Sequence, residues 1–216
     1  MRSIFLIIIY FLIPFYISSQ EKEINHSESN FSKKMEWFSE AKLGIFIHWG
    51  IYSVNGISES WSFFNGYISH SDYMKQLDGF GAEKYDAKEW ANIIKESGAK
   101  YTVITTKHHD GFALWNSKYG KLNSLNSSKS KSDLLTPFVK EIRNNDLKLG
   151  LYYSLPDWSY EDYTFHTNKI KRYNIEDQPK RWKKFLKFRD NQLNELKKRY
   201  NPDLWWFDGD WEHNAE

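Results

Sequence analysis

Four short apolar runs in this chain each end in groups able to do chemistry. Ile45-Phe46-Ile47 ends in His48. Tyr101 to Thr106 breaks into Lys107-His108-His109-Asp110-Gly111. Leu147 to Leu151 leads into Tyr152-Tyr153-Ser154, and Asp203 to Phe207 into Asp208-Gly209. Imidazoles and tyrosine hydroxyls both donate and accept hydrogen bonds, which suits a hydroxylated ligand. A carboxylate at a strand tip suits nucleophilic or acid–base work. Metal chemistry is a rival: His108, His109 and Asp110, with His48 and Asp208, are all ligand types. On a continuing strand His108 and His109 would point opposite ways, so joint ligation of one ion requires a bend there.

The elements that position these groups read as alternating strands and helices. Met35, Trp37, Phe38 and Ala41 recur at helical spacing within Lys33 to Lys42, before a stop near Gly44. The segment Ile51 to Gly81 is long for a connection and holds Ser58-Glu59-Ser60-Trp61; its aromatic content suits a functional loop. Asp86, with Glu89 three residues on, predicts a helix start whose buried stripe is Trp90, Ile93 and Ile94, ending near Gly98. The β-branched run from Tyr101 is apolar or Thr on both faces and predicts a doubly covered strand. Trp115 to Lys131 reads as a polar surface loop. Thr136-Pro137 predicts a helix burying Phe138, Val139 and Ile142. Pro179 to Tyr200 predicts the longest helix, with Trp182, Phe185, Leu186, Leu193 and Leu196 inward.

Alternating strand and helix implies an α/β fold with a parallel sheet. A doubly wound sheet and a (β/α)8 TIM-like barrel both fit. No Gly-rich phosphate loop follows the first strand, and polar groups at several strand ends favour the barrel. A full barrel takes about 250 residues, so the chain is expected to hold about the first four βα units only, as a truncated product.

The chain has 216 residues with 30 basic and 28 acidic side chains, for a formal net charge of +2. Intermixed charges of both signs imply no nucleic-acid partner. The absence of Cys excludes disulfides, thiolate metal sites and cysteine nucleophiles. Aromatics reach 18%, including ten Trp, and aromatic faces stack on the apolar faces of ligands such as sugars. Arg2, the apolar run Ile4 to Ile17 and Ser18-Ser19-Gln20 predict a secretory signal peptide over 1–19 and no stable membrane anchor. Residues 20–32 are expected to form a flexible lead-in, and 33–216 the N-terminal half of a catalytic barrel. The expected location is secreted or periplasmic.

Gly44-Ile45-Phe46-Ile47-His48-Trp49-Gly50, Lys107-His108-His109-Asp110-Gly111-Phe112, Leu151-Tyr152-Tyr153-Ser154 and Trp205-Trp206-Phe207-Asp208-Gly209 together resemble the α-L-fucosidases of glycoside hydrolase family 29. The resemblance runs from about Lys33 to the last residue. It implies a retaining exo-glycosidase on a (β/α)8-like barrel, followed by a β-sandwich, with no cofactor and no metal. The implied partner is a fucosylated oligosaccharide or glycoprotein, and the location lysosomal if the source is eukaryotic.

Carried over by position, the resemblance implies Asp208 as catalytic nucleophile and His48, His108 and His109 as readers of fucose hydroxyls. It implies Trp206 as an aromatic facing the sugar. Of Tyr152 and Tyr153 only one can point inward, and Tyr153 is the residue expected there. Many relatives carry Glu directly before Trp in the loop after the first strand. Here Ser60 precedes Trp61 and Glu59 lies one residue earlier, so Glu59 and Trp61 are kept as substrate-binding candidates. The family's acid/base comes from a later segment, expected beyond residue 216; Asp210, Glu212 and Glu216 do not match it. Residues 20–216 alone are therefore expected neither to hydrolyse fucosides nor to form a stable monomer. A metal-dependent barrel hydrolase and a non-catalytic sugar-binding fragment are the alternative functions.

Overall fold

The computed structural model describes residues 33–209 and 211. The expected signal peptide and lead-in lie outside the described residues, as do Asp210, Glu212 and Glu216. The chain divides into two compact units, Met1–Lys42 and Leu43–Glu216. In the first, helix α1 spans 33–41, with Trp37 and Phe38 packed edge to face. Among the described residues, no helix is long and apolar enough to cross a membrane.

The second unit begins with strand β1 (Gly44–Ile47). Two short helices follow, α2 (Trp61–Phe64) and α3 (His70–Met74), then α4 (Ala87–Glu96). The Asp86 side chain caps α4 by accepting from the amides of Lys88 and Glu89. Ala91 and Ile94 are its buried residues, whereas Ile93 is 57% exposed. The helix thus rolls away from the stripe predicted on Trp90, Ile93 and Ile94. Strand β2 (Tyr101–Lys107) comes next and is buried throughout beyond Tyr101.

Residues 115–131 are only in part the surface loop their composition suggests: Lys118, Tyr119, Lys121, Asn126, Lys129 and Lys131 are exposed, but the loop has a buried side. Trp115 is fully buried, as are Ser117, Asn123, Ser124 and Ser128. Their polar groups are satisfied within the loop or by its neighbours: Ser124 Oγ donates to the Leu114 carbonyl, Ser128 Oγ to that of Ser124, and Asn123 Nδ2 to that of Gly120. Buried polar groups are tolerated when bonded in this way.

Helix α5 (Leu135–Asn144) buries Phe138, Val139 and Ile142 as predicted. Strand β3 (Lys148–Ser154) precedes a small antiparallel pair, β4 (Phe165–Thr167) and β5 (Ile170–Lys171). Helix α6 (Pro179–Tyr200) starts on Pro179 and stops at Asn201, whose φ of 42° ends the helix in the left-handed region. Strand β6 (Leu204–Asp208) ends the described elements.

β1, β2, β3 and β6 form one parallel sheet in that order. Phe46, Val103, Gly150 and Leu204 lie in one row across it. Gly150 must be glycine, because a Cβ there would press on the Val103 side chain. One pleat further, Thr105, Tyr152 and Trp206 form the next row on the same face. That face leaves Phe46 42% and Trp206 51% exposed. On the other face α5 packs on β3 and α4 packs on α5, over a core that includes Ile104, Leu149 and Leu151.

Candidate active site

The ends of the four parallel strands converge. Between β2 and β3 the register slips at Thr106, and the strand stops at Lys107. The chain then turns: the Gly111 amide donates to the His108 carbonyl, and Gly111 takes φ 78°. This is the bend the two histidines required. Their rings sit 4.3 Å apart, and His108 lies 4.9 Å from His48.

Each imidazole is held by a serine. His108 Nδ1 lies 2.5 Å from Ser60 Oγ, and His109 Nδ1 lies 2.5 Å from Ser154 Oγ. Burial lowers the pKa of His108 well below its usual value, with His109 and His48 adding to the effect. Burial also brings His109 down to about 3, assisted by the Lys107 charge and His48. Both rings are therefore neutral at neutral pH and act as hydrogen-bonding groups. His48 is lowered as well: burial outweighs the pull of Glu59 and Asp208. Its Nδ1 is 3.4 Å from Glu59 Oε1. Glu59 takes a positive φ of 23°, uncommon for a non-glycine residue.

Asp208 is the last residue of β6. Its Oδ2 accepts from the Tyr152 hydroxyl at 2.5 Å and lies 3.8 Å from His109 Nε2. Burial first, then the bond to Asp208, raise the Tyr152 pKa, so the phenol stays protonated and donates. Trp206 shares the face of Asp208, as strand parity predicts. Trp61 packs edge-on to His109 and Trp158 and stacks on Trp211 at 5.9 Å.

The expectation for Tyr153 is corrected. Tyr153 is fully buried on the helix side, where its hydroxyl donates to Gln192 Oε1 and its ring lies under the Lys107 ammonium at 4.5 Å. Tyr152 is the tyrosine that turns toward Asp208. Asp110 also leaves the metal-ligand set: its carboxylate accepts from Tyr73 and from the Phe112 amide, anchoring the turn from behind. Burial raises its pKa to about 6, against the lowering effect of those bonds. The group that could hold a metal ion is His108, His109 and Asp208, whose ligand atoms lie within 4.8 Å of one another.

Several supporting residues escaped sequence reasoning. Lys107 and Asp157 form a buried ion pair at 3.1 Å. Burial opposes the Lys107 charge, yet Asp157 and Tyr153 prevail and raise its pKa. The signal in the sequence was a lysine closing an otherwise uncharged buried strand. Ser60, Ser154, Tyr73 and Trp211 carried no such signal.

A parallel α/β sheet whose strand tips gather a carboxylate, neutral imidazoles and tryptophans is of the barrel class, with its ligand edge at the strands' carboxyl ends. Residues 15–216 match the sequence model of the alpha-L-fucosidase family, and the chain belongs to that family. It is 37% identical over 197 residues to an alpha-L-fucosidase of Branchiostoma floridae, covering 82% of this chain and 41% of that one. To the human plasma alpha-L-fucosidase it is 34% identical over 196 residues, covering 81% and 39%. The fold superposes on a GH29 alpha-L-fucosidase from Bacteroides thetaiotaomicron with a TM-score of 0.73 at 36% identity, covering 84% of this chain and 42% of that one. It superposes on the Thermotoga maritima alpha-fucosidase in complex with fucose with a TM-score of 0.64 at 35% identity, covering 80% and 46%. The chain thus spans about 40% of the length of the curated relatives it matches. The barrel expectation holds for the part of the fold these residues make.

Proposed function

We propose that this chain carries the nucleophile-bearing part of a retaining exo-α-L-fucosidase that releases terminal α-L-fucose from glycans or glycoconjugates. The observation that carries the reading is the placement of Asp208, at the tip of β6, with Tyr152 donating to Oδ2 and a neutral imidazole 3.8 Å away. In this reading Asp208 attacks the anomeric carbon, the leaving group departs, and water then cleaves the glycosyl-enzyme. The donated Tyr152 proton keeps the carboxylate oriented while its other oxygen attacks. His48, His108 and His109 bind sugar hydroxyls, and Trp61 and Trp206 supply aromatic faces to the apolar side of the sugar. Glu59 reaches the sugar alongside His48. The acid/base is assigned to none of Glu59, Asp210, Glu212 and Glu216. It is read as belonging to the part of the relatives that this chain does not cover. We also read the protein as exported through its N-terminal apolar segment to a secreted or periplasmic location, or a lysosomal one in a eukaryote.

An activated reagent removes the need for leaving-group protonation. Incubated with 2-fluoro-fucosyl fluoride, the chain should gain one fluorofucosyl mass on the peptide holding Asp208, and Asp208→Asn should gain none. Equal labelling of both proteins would sink the assignment. The metal reading rests on the spacing of His108, His109 and Asp208. Labelling that requires zinc and is lost on chelation would favour it.

A further inference from the structure

Ser154 Oγ has two partners. It donates to the Pro156 carbonyl at 2.7 Å and lies 2.5 Å from His109 Nδ1. A hydroxyl has one hydrogen, and a carbonyl can only accept. Toward His109 the serine must therefore accept, which places the imidazole hydrogen on Nδ1. The Pro156 carbonyl is itself held. The Leu155 amide donates to the Asp208 carbonyl and the Trp158 amide to the His109 carbonyl, while Gly209 packs so closely on the Pro156 ring that a Cβ would collide with it.

We infer that Ser154 is a positioning residue that locks His109 with its hydrogen on Nδ1 and its lone pair on Nε2, making His109 an obligate hydrogen-bond acceptor toward the ligand. The inference deepens the fucosidase reading and rests on it for the identity of the ligand. With its hydrogen on Nδ1 toward Ser154, the neutral imidazole presents only a lone pair at Nε2. Nε2 and Asp208 Oδ2 then face each other at 3.8 Å as two acceptors, and no direct bond joins them. Oδ2 already accepts from Tyr152, so the acceptor left open is Nε2, and the group that fits it is a ligand hydroxyl giving its hydrogen there. An ether or a fluorine at that position leaves the lone pair unpaired in a buried site, which is costly. Specificity at this point is for a free hydroxyl, whatever else the sugar carries. With its hydrogen on Nδ1, His109 also has none on Nε2 to donate to Asp208.

The test reads the tautomer directly. The chain labelled with 15N-histidine should show His109 with a protonated Nδ1 and a bare Nε2 in long-range 1H–15N spectra, identified by the loss of that pattern in His109→Gln. Ser154→Ala should convert the pattern to a mixture of tautomers. A protonated Nε2 in the unmodified chain overturns the inference, and that measurement stands even if Ser154→Ala does not fold. Adding L-fucose should move the Nε2 resonance. Among monodeoxy and monodeoxyfluoro fucoses, one position should lose about tenfold in affinity with either replacement, because fluorine cannot donate. Loss with the deoxy sugar but full retention with the fluoro sugar at every position overturns the inference. A bare Nε2 with no response to fucose upholds the tautomer and sinks the fucosidase reading instead. A protonated Nε2 in a chain that binds fucose does the reverse.

Discussion

The Tyr152 hydroxyl donates to Oδ2 of Asp208 at 2.5 Å, from one strand of the sheet to its parallel neighbour. The two residues are not paired in register. Asp208 sits opposite Ser154, and Tyr152 opposite Trp206, so the phenol reaches up one pleat to the carboxylate. Hydrogen bonds to charged groups contribute about 1.5–3 kcal/mol. Tyr152→Phe should therefore slow labelling by 2-fluoro-fucosyl fluoride by about 10- to 100-fold. Tyr153→Phe loses its bond to Gln192 and its hydroxyl's contact with Lys107, both on the helix side of the sheet. It should cost about 1 kcal/mol of stability and leave the labelling rate near that of the unmodified chain. Measured labelling rates of the two variants decide which tyrosine serves the site, and the reverse ranking would restore Tyr153.

Lys107 and Asp157 hold the turn beneath the histidines. Both side chains are out of water at 3.1 Å separation. Lys107→Met leaves a buried carboxylate without its cation, a change that costs about 3–5 kcal/mol. The urea midpoint should fall accordingly. The double variant Lys107→Met/Asp157→Leu should lose clearly less than the sum of the two singles, because the residues are in contact and share one interaction. Strict additivity in denaturation would show that the pair is not coupled.

Gly111 is the point where that turn is tightest. Its φ of 78° suits glycine, and a Cβ would collide with Asp157 Oδ1. Gly111→Ala should cost about 1–3 kcal/mol through backbone strain alone and should also push Asp157 away from Lys107. Thermal unfolding measures the first effect. The histidine ring resonances measure the second, and unchanged spectra with unchanged stability would contradict both.

Stability should bend with pH in opposite directions at two neighbouring residues. His109 titrates near 3 when folded, below the ordinary histidine value. The unfolded chain takes up that proton first, so this contribution is complete above about pH 6.5 and is lost on acidification toward 3, at about 1.4 kcal/mol per pH unit. Asp110 titrates near 6 when folded, above the ordinary carboxylate value. Its contribution is complete below about pH 4 and is lost as pH rises to 6. Over pH 4–6 the two slopes oppose each other. His109→Gln should make stability fall less steeply on acidification across that window, and Asp110→Asn should make it fall more steeply. Chemical denaturation at a series of pH values reads both, and identical profiles in all three proteins would remove the basis for either assignment.

Much of this protein was legible along the chain. The four strands, their parallel order and the polar groups at their tips follow from local composition and period, as do the cap at Asp86 and the helix start at Pro179. Parity alone placed Trp206 and Asp208 on a common face, because alternation within one strand is a local property. What parity does not state is which face meets the ligand. For Tyr152 and Tyr153 that depended on how β3 pairs with β2 and β6, and on the register slip at Thr106, none of which is written in Leu-Tyr-Tyr-Ser itself. The bend that brings His108 beside His109 depended on Gly111 folding over Asp157, a residue 46 positions later by number. The same long-range closure turned Asp110 toward Tyr73 and buried Ser117, Asn123, Ser124 and Ser128 of the loop after Trp115. Composition marks a residue as polar, but its hydrogen-bonding partner is chosen by whatever the rest of the chain brings within reach, and only the folded structure makes that choice.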